Sequence, residues 1–344
     1  MALKYGNVRS VYMYRNYIIN LCLFRNRITT SERLDPEWLP RRRWLIAGAA
    51  ASVTALPGCQ TPPAPAAAAI PVLAPPPVEA PPKPAPKPPR IGLALGGGAA
   101  RGFAHIGVIQ VLEENGIRPD LVTGTSAGSL VAALYASGKR GAELGALAES
   151  MDESAFTDWS FPGRGLIRGE ALAKYVRDNT GGRSIEQMRI GLGIVATDLD
   201  SGQAILFQLG DPGVAVRASS AVPAVFQPVR IGTREYVDGG LVAPVPVRFA
   251  RQMGADLVIA VDISAAPDGN ATGDAMRMLL QTFAIMGRSI NNFELRDADV
   301  LLRPKLTHVS GADFAARKRS IQAGREAALA QLVGLRARIV EKTH

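Results

Sequence analysis

The sequence predicts an α/β fold with a mainly parallel central sheet for residues 91–344, on three observations. Short apolar segments alternate with helical patterns from Ile91 to the C-terminal region, as in proteins whose helices cover a parallel sheet. A Gly-x-Ser-x-Gly pentapeptide joins one apolar segment to the next helical pattern. The roughly 250 residues of this part suit a single domain, and no internal repeat divides them.

The apolar and helical patterns place the elements as follows. The predicted strands are Ile91–Leu95, Asp120–Thr123, Ile190–Thr197, Ala204–Gln208, Glu235–Val237, Leu257–Ile263 and Val300–Leu302. The predicted helices are Phe103–Asn115, Ser129–Ser137, Glu143–Met151, Glu170–Asn179, Pro212–Ser219, Asp274–Glu294 and Asp313–Val340.

Residues 1–59 have the composition of an export leader. Arg41-Arg42-Arg43 precedes an uncharged, largely apolar run that is too short to span a bilayer, and Leu56-Pro57-Gly58-Cys59 follows. The last four residues resemble a bacterial lipobox, which predicts a lipid anchor on Cys59 and an exported protein attached to a membrane of the cell envelope. An ordinary signal peptide with an incidental cysteine is the alternative. The arginines also weakly resemble a twin-arginine export signal.

Residues 60–90 form a linker in which proline alternates mainly with alanine. Such a sequence favours extended polyproline II, so it predicts a spacer between the anchor and the folded part. A proline-rich ligand for a partner domain is the other interpretation. The leader and linker carry eight of the nine net positive charges, so the folded part gives no support for nucleic-acid binding.

The cysteine and histidine content argues against a metal or disulfide protein. Cys22 and Cys59 are the only cysteines, and the three histidines, His105, His308 and His344, show no metal-ligand spacing. We therefore predict no metal site and no cofactor.

Gly124-Thr125-Ser126-Ala127-Gly128 has the flanks of a nucleophile elbow, a sharp turn between a strand and a helix. Gly124 and Gly128 leave room for backbone that crosses the turn, and Ser126 is exposed at a helix N-terminus. A plain serine N-cap is the simpler interpretation.

A glycine run, Gly96-Gly97-Gly98, follows the first strand and precedes a helix. A dinucleotide site does not fit, because Arg101 occupies the place of the third glycine in the fingerprint, and no P-loop sequence is present. We expect the amides of Gly97 and Gly98 to form an oxyanion hole for Ser126. Arg101 either adds its positive charge to the oxyanion hole or holds the loop in place.

Three groups compete for the role of base. His105 lies on the apolar face of a predicted helix, which favours a packed histidine over a catalytic one. Ser126, Asp262 and His308 stand in the chain order of an α/β-hydrolase triad. Asp238 ends a strand before two glycines and can accept the serine proton directly, although Asp238-Gly239-Gly240 alone also fits a hairpin turn.

Taken together, the motifs resemble the bacterial patatin-like phospholipases over nearly all of residues 91–340. The matching stretches are Gly96–Gly102, Gly124–Gly128, Ala218–Pro223 with Phe226, and Asp238–Gly240. The resemblance implies a three-layer α/β/α fold, a Ser126–Asp238 dyad without histidine, an oxyanion loop at Gly96–Gly98 and hydrolysis of lipid acyl esters. Ala243 departs from the asparagine usual in bacterial members.

Two other expectations do not depend on this resemblance. The segment from Ala155 to Ile167 contains Trp159 and Phe161 among loop-forming residues, so it is either a flap over an acyl groove or a packed connection. The competing function classes are an α/β-hydrolase esterase that uses His308 and a non-catalytic anchored lipoprotein.

Overall fold

The computed structural model describes residues 86–152, 158–159, 164–265 and 273–344. The predicted leader with Cys59 and most of the linker lie outside these ranges, as does Phe161. All described residues belong to one compact unit, Glu79–His344. At the end of the predicted linker, Lys87 exchanges backbone hydrogen bonds with His344, so this end of the linker is attached to the C-terminus.

Ten strands and eight α-helices make up the described part of the chain. The strands are β1 Ile91–Leu95, β2 Leu121–Thr125, β3 Gly165–Ile167, β4 Gly191–Asp198, β5 Ala204–Phe207, β6 Ala224–Phe226, β7 Val229–Ile231, β8 Arg234–Asp238, β9 Leu257–Val261 and β10 Val300–Leu302. The helices are α1 Phe103–Glu114, α2 Ala127–Ala136, α3 Gly141–Ser150, α4 Glu170–Thr180, α5 Pro212–Ser219, α6 Val247–Gln252, α7 Ala275–Glu294 and α8 Arg317–Glu341.

Eight strands form one mixed sheet. The order is β10-β9-β1-β2-β4-β8-β7, and β5 pairs with β4 outside this path. The five strands from β10 to β4 are parallel, whereas β8, β7 and β5 join antiparallel. β3 and β6 form a separate parallel pair. The predicted mainly parallel sheet is confirmed.

The strands of the sheet centre are buried on both faces, which is why β1 and β9 contain only apolar residues and glycine. Side chains alternate along β1: Leu93 and Leu95 pack with α1, α2 and α8 on one face, and Ala94 packs with α6 on the other. The side chains of β9 divide between the two faces in the same way. Helices therefore cover both faces of the sheet, in the three-layer arrangement that the resemblance implies.

The predicted elements recur with small shifts. The bounds of β1, β10 and α5 are those predicted, and the other predicted elements differ by a few residues at their ends. β3, β6 and β7, with three residues each, and the one-and-a-half-turn helix α6 were not predicted. β3, β6 and β7 are too short for a period to be read, and their pairing is set by tertiary contacts, although the equally short β10 was predicted from its unbroken apolar run.

Candidate active site

Two strands meet end to end beside β4 and bring the serine and the aspartate together. β2 runs parallel to β4 and ends with Thr125 opposite Val195, while β8 runs antiparallel and ends with Asp238 opposite Ala196. β5 pairs with residues 194–197 of β4. Because residues 194 and 195 also pair with β2 and residues 196 and 197 also pair with β8, β5 lies at the opposite edge of β4 from both strands. β2 and β8 therefore share one edge, and their last residues face adjacent positions of β4.

Ser126 lies at the sharp turn between β2 and α2. Its backbone has φ 52° and ψ −124°, a conformation that side-chain-bearing residues rarely adopt. A Cβ at Gly124 would lie 2.5 Å from the carbonyl oxygen of Gly128, and one at Gly128 would lie 2.1 Å from that of Leu95. Both positions therefore require glycine, as predicted for a nucleophile elbow.

The Ser126 hydroxyl donates a hydrogen bond to Asp238 Oδ2 at 2.7 Å. The other carboxylate oxygen, Oδ1, accepts the backbone N–H of Gly240 at 2.6 Å, so Asp238 caps the short 3-10 turn Gly239–Leu241. Asp238 is buried, and burial raises the pKa of its carboxyl to about 6, against the opposing effect of the hydrogen bonds from Ser126 and Gly240. A carboxyl with this pKa is ionised at neutral pH and is a stronger base than an exposed aspartate.

Two hydroxyl side chains fix the backbone on either side of this pair. Ser219 Oγ accepts the N–H of Ser126 at 2.9 Å and donates to the Val195 carbonyl at 2.5 Å. Thr197 Oγ1 donates to the carbonyl of Asp238 at 2.8 Å. Ser219 falls within the Ala218–Pro223 stretch of the resemblance, but nothing in the local pattern indicated its partner, because the contact joins residues far apart in the chain.

Ala243 supports the aspartate turn through its backbone. Its N–H donates to Gly239 at 2.9 Å, and its carbonyl accepts the Thr125 hydroxyl at 2.8 Å. Its methyl group is fully buried beside Val195 and Phe249. The alanine at this position is therefore compatible with a fixed turn after Asp238.

The glycine run packs against the elbow, but most of its amides already have acceptors. The N–H of Gly96 donates to Val261 at 3.1 Å, and that of Gly97 donates to Pro244 at 2.9 Å. For Gly98 N–H, the described residues contain no acceptor. Of the three glycine amides, only that of Gly98 is therefore available as an oxyanion donor. The amides of Gly96 and Gly97 bind the loop to neighbouring backbone.

Arg101 ties the glycine loop to the segment after β9. Its guanidinium donates to the Ser264 carbonyl at 3.0 Å, and its Nε atom is buried without a partner among the described residues. Burial lowers the pKa of Arg101, and the charge of Asp262 opposes that shift. The hydrogen bond to Ser264 supports the interpretation that Arg101 holds the loop in place.

The histidine triad does not assemble in the described structure. His308 is exposed, and Asp262 accepts hydrogen bonds from Ser264 and, at 3.2 Å, from Arg303 Nε. His105 is fully buried with Nε2 2.8 Å from the Gly96 carbonyl, and burial lowers its pKa to about 4. His105 is therefore a neutral, packed histidine that supports the glycine loop, in agreement with the prediction.

An apolar cavity begins beside the elbow. A partly exposed strip runs from Ser126 over Ala127 to Leu130, next to the accessible residues Gly98 and Ala99. The cavity continues between α1, α2, α3 and Phe314, and its volume is about 70 Å³. Its lining is Ala99, Ala100, Gly102, Phe103, Ile106, Ala127, Leu130, Val131, Leu134, Leu144, Leu147, Ala148, Met151, Tyr175 and Phe314.

The remaining sequence predictions concern metal-ligand groups, membrane-spanning helices and the segment around Trp159. Among the described residues, no group of His, Cys, Asp and Glu side chains is arranged to hold a metal ion, and no helix combines the length and apolar character needed to cross a bilayer. Trp159 is 60 % exposed and pairs with Ile167 through a single β-bridge. The greater part of the segment predicted as flap or connection lies outside the described residues.

Residues 93–251 match the Patatin-like phospholipase family. An uncharacterized NTE family protein of Mycobacterium tuberculosis is 39 % identical over 186 residues, which cover 53 % of this chain and 51 % of that protein. Lysophospholipase NTE1 of Coccidioides immitis is 32 % identical over 190 residues, covering 53 % of this chain and 12 % of that protein.

The crystal structure of VipD from Legionella pneumophila superposes with a TM-score of 0.50 at 17 % identity, covering 72 % of this chain and 67 % of that one. This likeness supports the fold. The chain spans about half the length of the mycobacterial relative and a smaller share of the fungal one.

Proposed function

We propose that this protein, whose residues 93–251 match the patatin-like phospholipase family, is a serine acyl hydrolase that cleaves acyl esters of membrane lipids or lysophospholipids. The observation that carries the proposal is the 2.7 Å hydrogen bond from the strained Ser126 to the buried Asp238. The relative named as a lysophospholipase agrees with this substrate class.

In the proposed reaction, Ser126 Oγ attacks the acyl carbonyl carbon while its proton passes to Asp238. Gly98 N–H, at the N-cap of the 3-10 turn Ala99–Gly102, stabilises the oxyanion. The carbon–oxygen bond to the leaving alcohol then breaks, the alcohol takes the proton from Asp238, and an ester remains on Ser126. Asp238 next removes a proton from a water molecule, whose oxygen attacks the acyl carbon. The bond between that carbon and Ser126 Oγ then breaks, Ser126 Oγ takes the proton back from Asp238, and the fatty acid leaves.

Asp238 suits both proton transfers because its pKa, raised to about 6 by burial, lies close to neutral pH. The apolar lining of the cavity beside Ala127 suits an acyl chain rather than a polar substituent. No step of this scheme requires a metal, a cofactor or an imidazole.

The experiment that tests the proposal compares ester hydrolysis and labelling by a fluorophosphonate serine probe in four variants. Ser126→Ala and Asp238→Asn should each lower kcat/KM by about 10³-fold or more in folded protein. His308→Ala and Asp262→Asn should stay within about threefold of wild type. Full activity in Asp238→Asn would falsify the dyad, loss in His308→Ala would restore the triad, and a wild type without labelling or turnover would favour a non-catalytic lipoprotein.

The leader adds a proposal about location. We propose that the protein is exported and anchored to a membrane of the cell envelope through a lipid on Cys59, with residues 60–90 as spacer. Mass spectrometry of the mature N-terminus tests this directly. A diacylglyceryl cysteine at position 59 that is lost in Cys59→Ser supports the anchor, and an intact residue 1 or a cut at another position overturns it.

A further inference from the structure

Helix α7 exposes a strip of large apolar side chains on the surface of the domain. Met278, Ile285, Met286 and Phe293 have 58 %, 53 %, 49 % and 66 % of their surface exposed. Their spacing of seven, one and seven residues puts them on one side of the helix. The buried positions of α7 are only Gly287, Asn291 and Glu294, so most of the helix faces outward.

The inward side of α7 borders the catalytic turn. A Cβ at Gly287 would lie 3.5 Å from Pro244 Cγ and 4.0 Å from the carbonyl oxygen of Gly240, whose N–H binds Asp238. Asn291 Nδ2 donates to Ser264 Oγ at 3.3 Å. Ser264 in turn accepts the Arg101 side chain that holds the glycine loop. The exposed strip lies on the outward side of this helix, roughly opposite Gly287 and Asn291, and so one helix diameter (about 10 Å) from the catalytic turn.

The charges of α7 are positive at its surface. Arg288 is exposed, and so is Arg277, whose Nε lies 3.5 Å from Oδ2 of Asp274 at the helix N-cap. The single acidic residue of the helix, Glu294, is buried and paired with Arg248. Just beyond the C-terminal end, the guanidinium of Arg296 lies 5.1 Å from the centre of the Phe293 ring. Arginine side chains beside exposed apolar ones are typical of helices that lie in the interface of an anionic bilayer.

We propose that α7 is the surface by which the domain sits on an anionic phospholipid bilayer. The strip Met278, Ile285, Met286 and Phe293 enters the boundary between headgroups and acyl chains, and Arg277 and Arg288 contact the lipid phosphates. This proposal rests on the proposed function, because it holds the bilayer against the helix whose inward side borders the catalytic turn. A second copy of the chain is a less suitable occupant, because it would place two arginine-bearing helices against each other.

A flotation assay with the full chain tests the surface without any turnover. Met286→Ser/Phe293→Ser should lower the fraction bound to phosphatidylglycerol-containing vesicles by about tenfold. Arg277→Gln/Arg288→Gln should lower binding to these vesicles but leave binding to neutral phosphatidylcholine vesicles unchanged. The matched control is Leu329→Ser/Val333→Ser, which alters two exposed apolar residues of α8 on the opposite face of the sheet, and it should bind as wild type.

A local probe separates α7 from any contribution of the leader. In Met286→Trp, vesicles that contain brominated acyl chains should quench the added fluorescence by about half. In the matched variant Val333→Trp, the added fluorescence should not change. The three native tryptophans give the same background in both variants and are subtracted with the wild-type signal.

Each outcome decides between the alternatives. Equal flotation of the α7 variants and the wild type, or equal quenching at positions 286 and 333, overturns the surface. A variant that floats less because it changes from dimer to monomer, measured by light scattering without vesicles, assigns α7 to a second copy instead. Loss of flotation with unchanged kcat/KM on a short soluble ester supports the surface. A wild type that hydrolyses no ester but binds through α7 refutes the proposed function alone.

Discussion

Ser126 Oγ and Asp238 Oδ2 lie 2.7 Å apart, although 112 residues separate them in the chain. The contact arises because β2 and β8 approach each other from opposite directions along one edge of β4 and end at adjacent positions. Neither side chain has to reach across a cleft. The sheet hydrogen bonds themselves set the distance between the two groups.

The pH dependence of hydrolysis should follow Asp238. Burial raises the pKa of this carboxyl to about 6, and only its ionised form accepts a proton from Ser126. We therefore expect kcat/KM to fall about tenfold for each pH unit below 6 and to level off above 7. Initial rates on a short soluble ester between pH 4.5 and 8.5 measure this acidic fall in kcat/KM. His308→Ala should leave the midpoint of the fall unchanged. A midpoint that moves with His308→Ala contradicts the assignment.

Asp238→Asn should stabilise the fold at alkaline pH. The folded-state pKa, about 6, lies above the ordinary value of 3.8, so the stability that this group contributes is present below pH 3.8 and is lost as pH rises through 6. Asparagine does not ionise, so the variant should gain about 2 to 3 kcal/mol at pH 8 and almost nothing at pH 4. Urea unfolding at the two pH values measures the difference. An equal effect at both values contradicts the burial argument.

Ser126→Gly should be more stable than Ser126→Ala. The backbone at this residue has φ 52°, which glycine adopts without strain and alanine does not. The expected gap is about 1 kcal/mol, in favour of glycine. Thermal unfolding of the two inactive variants measures it. Glycine and alanine variants of equal stability mean that the turn relaxes when the side chain changes.

Narrowing the cavity should alter the chain-length preference. Leu130 lines the cavity and is partly exposed, so Leu130→Trp is expected to fill the entrance with little loss of stability. The ratio of kcat/KM for a decanoyl ester to that for an acetyl ester should fall about tenfold. Val333→Trp, on the exposed surface of α8, provides the control. An unchanged ratio would place the acyl chain elsewhere.

The sequence predicted the central elements well because each has a strong local signal. β1 and β9 are continuous apolar segments, β2 begins with two apolar residues, and the elbow has glycines where the backbone crosses. The place of β8 in the sheet has no local signal, since it is set by pairing with β4, which lies far away in the chain. The burial of Asp238 also depends on contacts between distant parts of the chain, so its raised pKa was not accessible from the motif.

The oxyanion donor in the glycine loop is a second feature that the sequence alone does not determine. Local reasoning assigned two amides to the oxyanion, but the N–H of Gly97 is bonded to Pro244, 147 positions further along the chain. Hydrogen-bond partners of this kind follow from tertiary packing. A pattern of glycines predicts a turn with accessible amides, and the surrounding structure decides which amide remains available.

The end-to-end meeting of β2 and β8 also bears on how the protein acquires reactivity. β4 must pair with both strands before the hydroxyl finds its acceptor, and these pairings join distant parts of the chain. Such non-local contacts form late and slowly during folding. A nascent or trimmed chain that lacks β8 is therefore expected to be inert, so that lipids in the producing cell meet a competent hydrolase only after synthesis has passed Asp238.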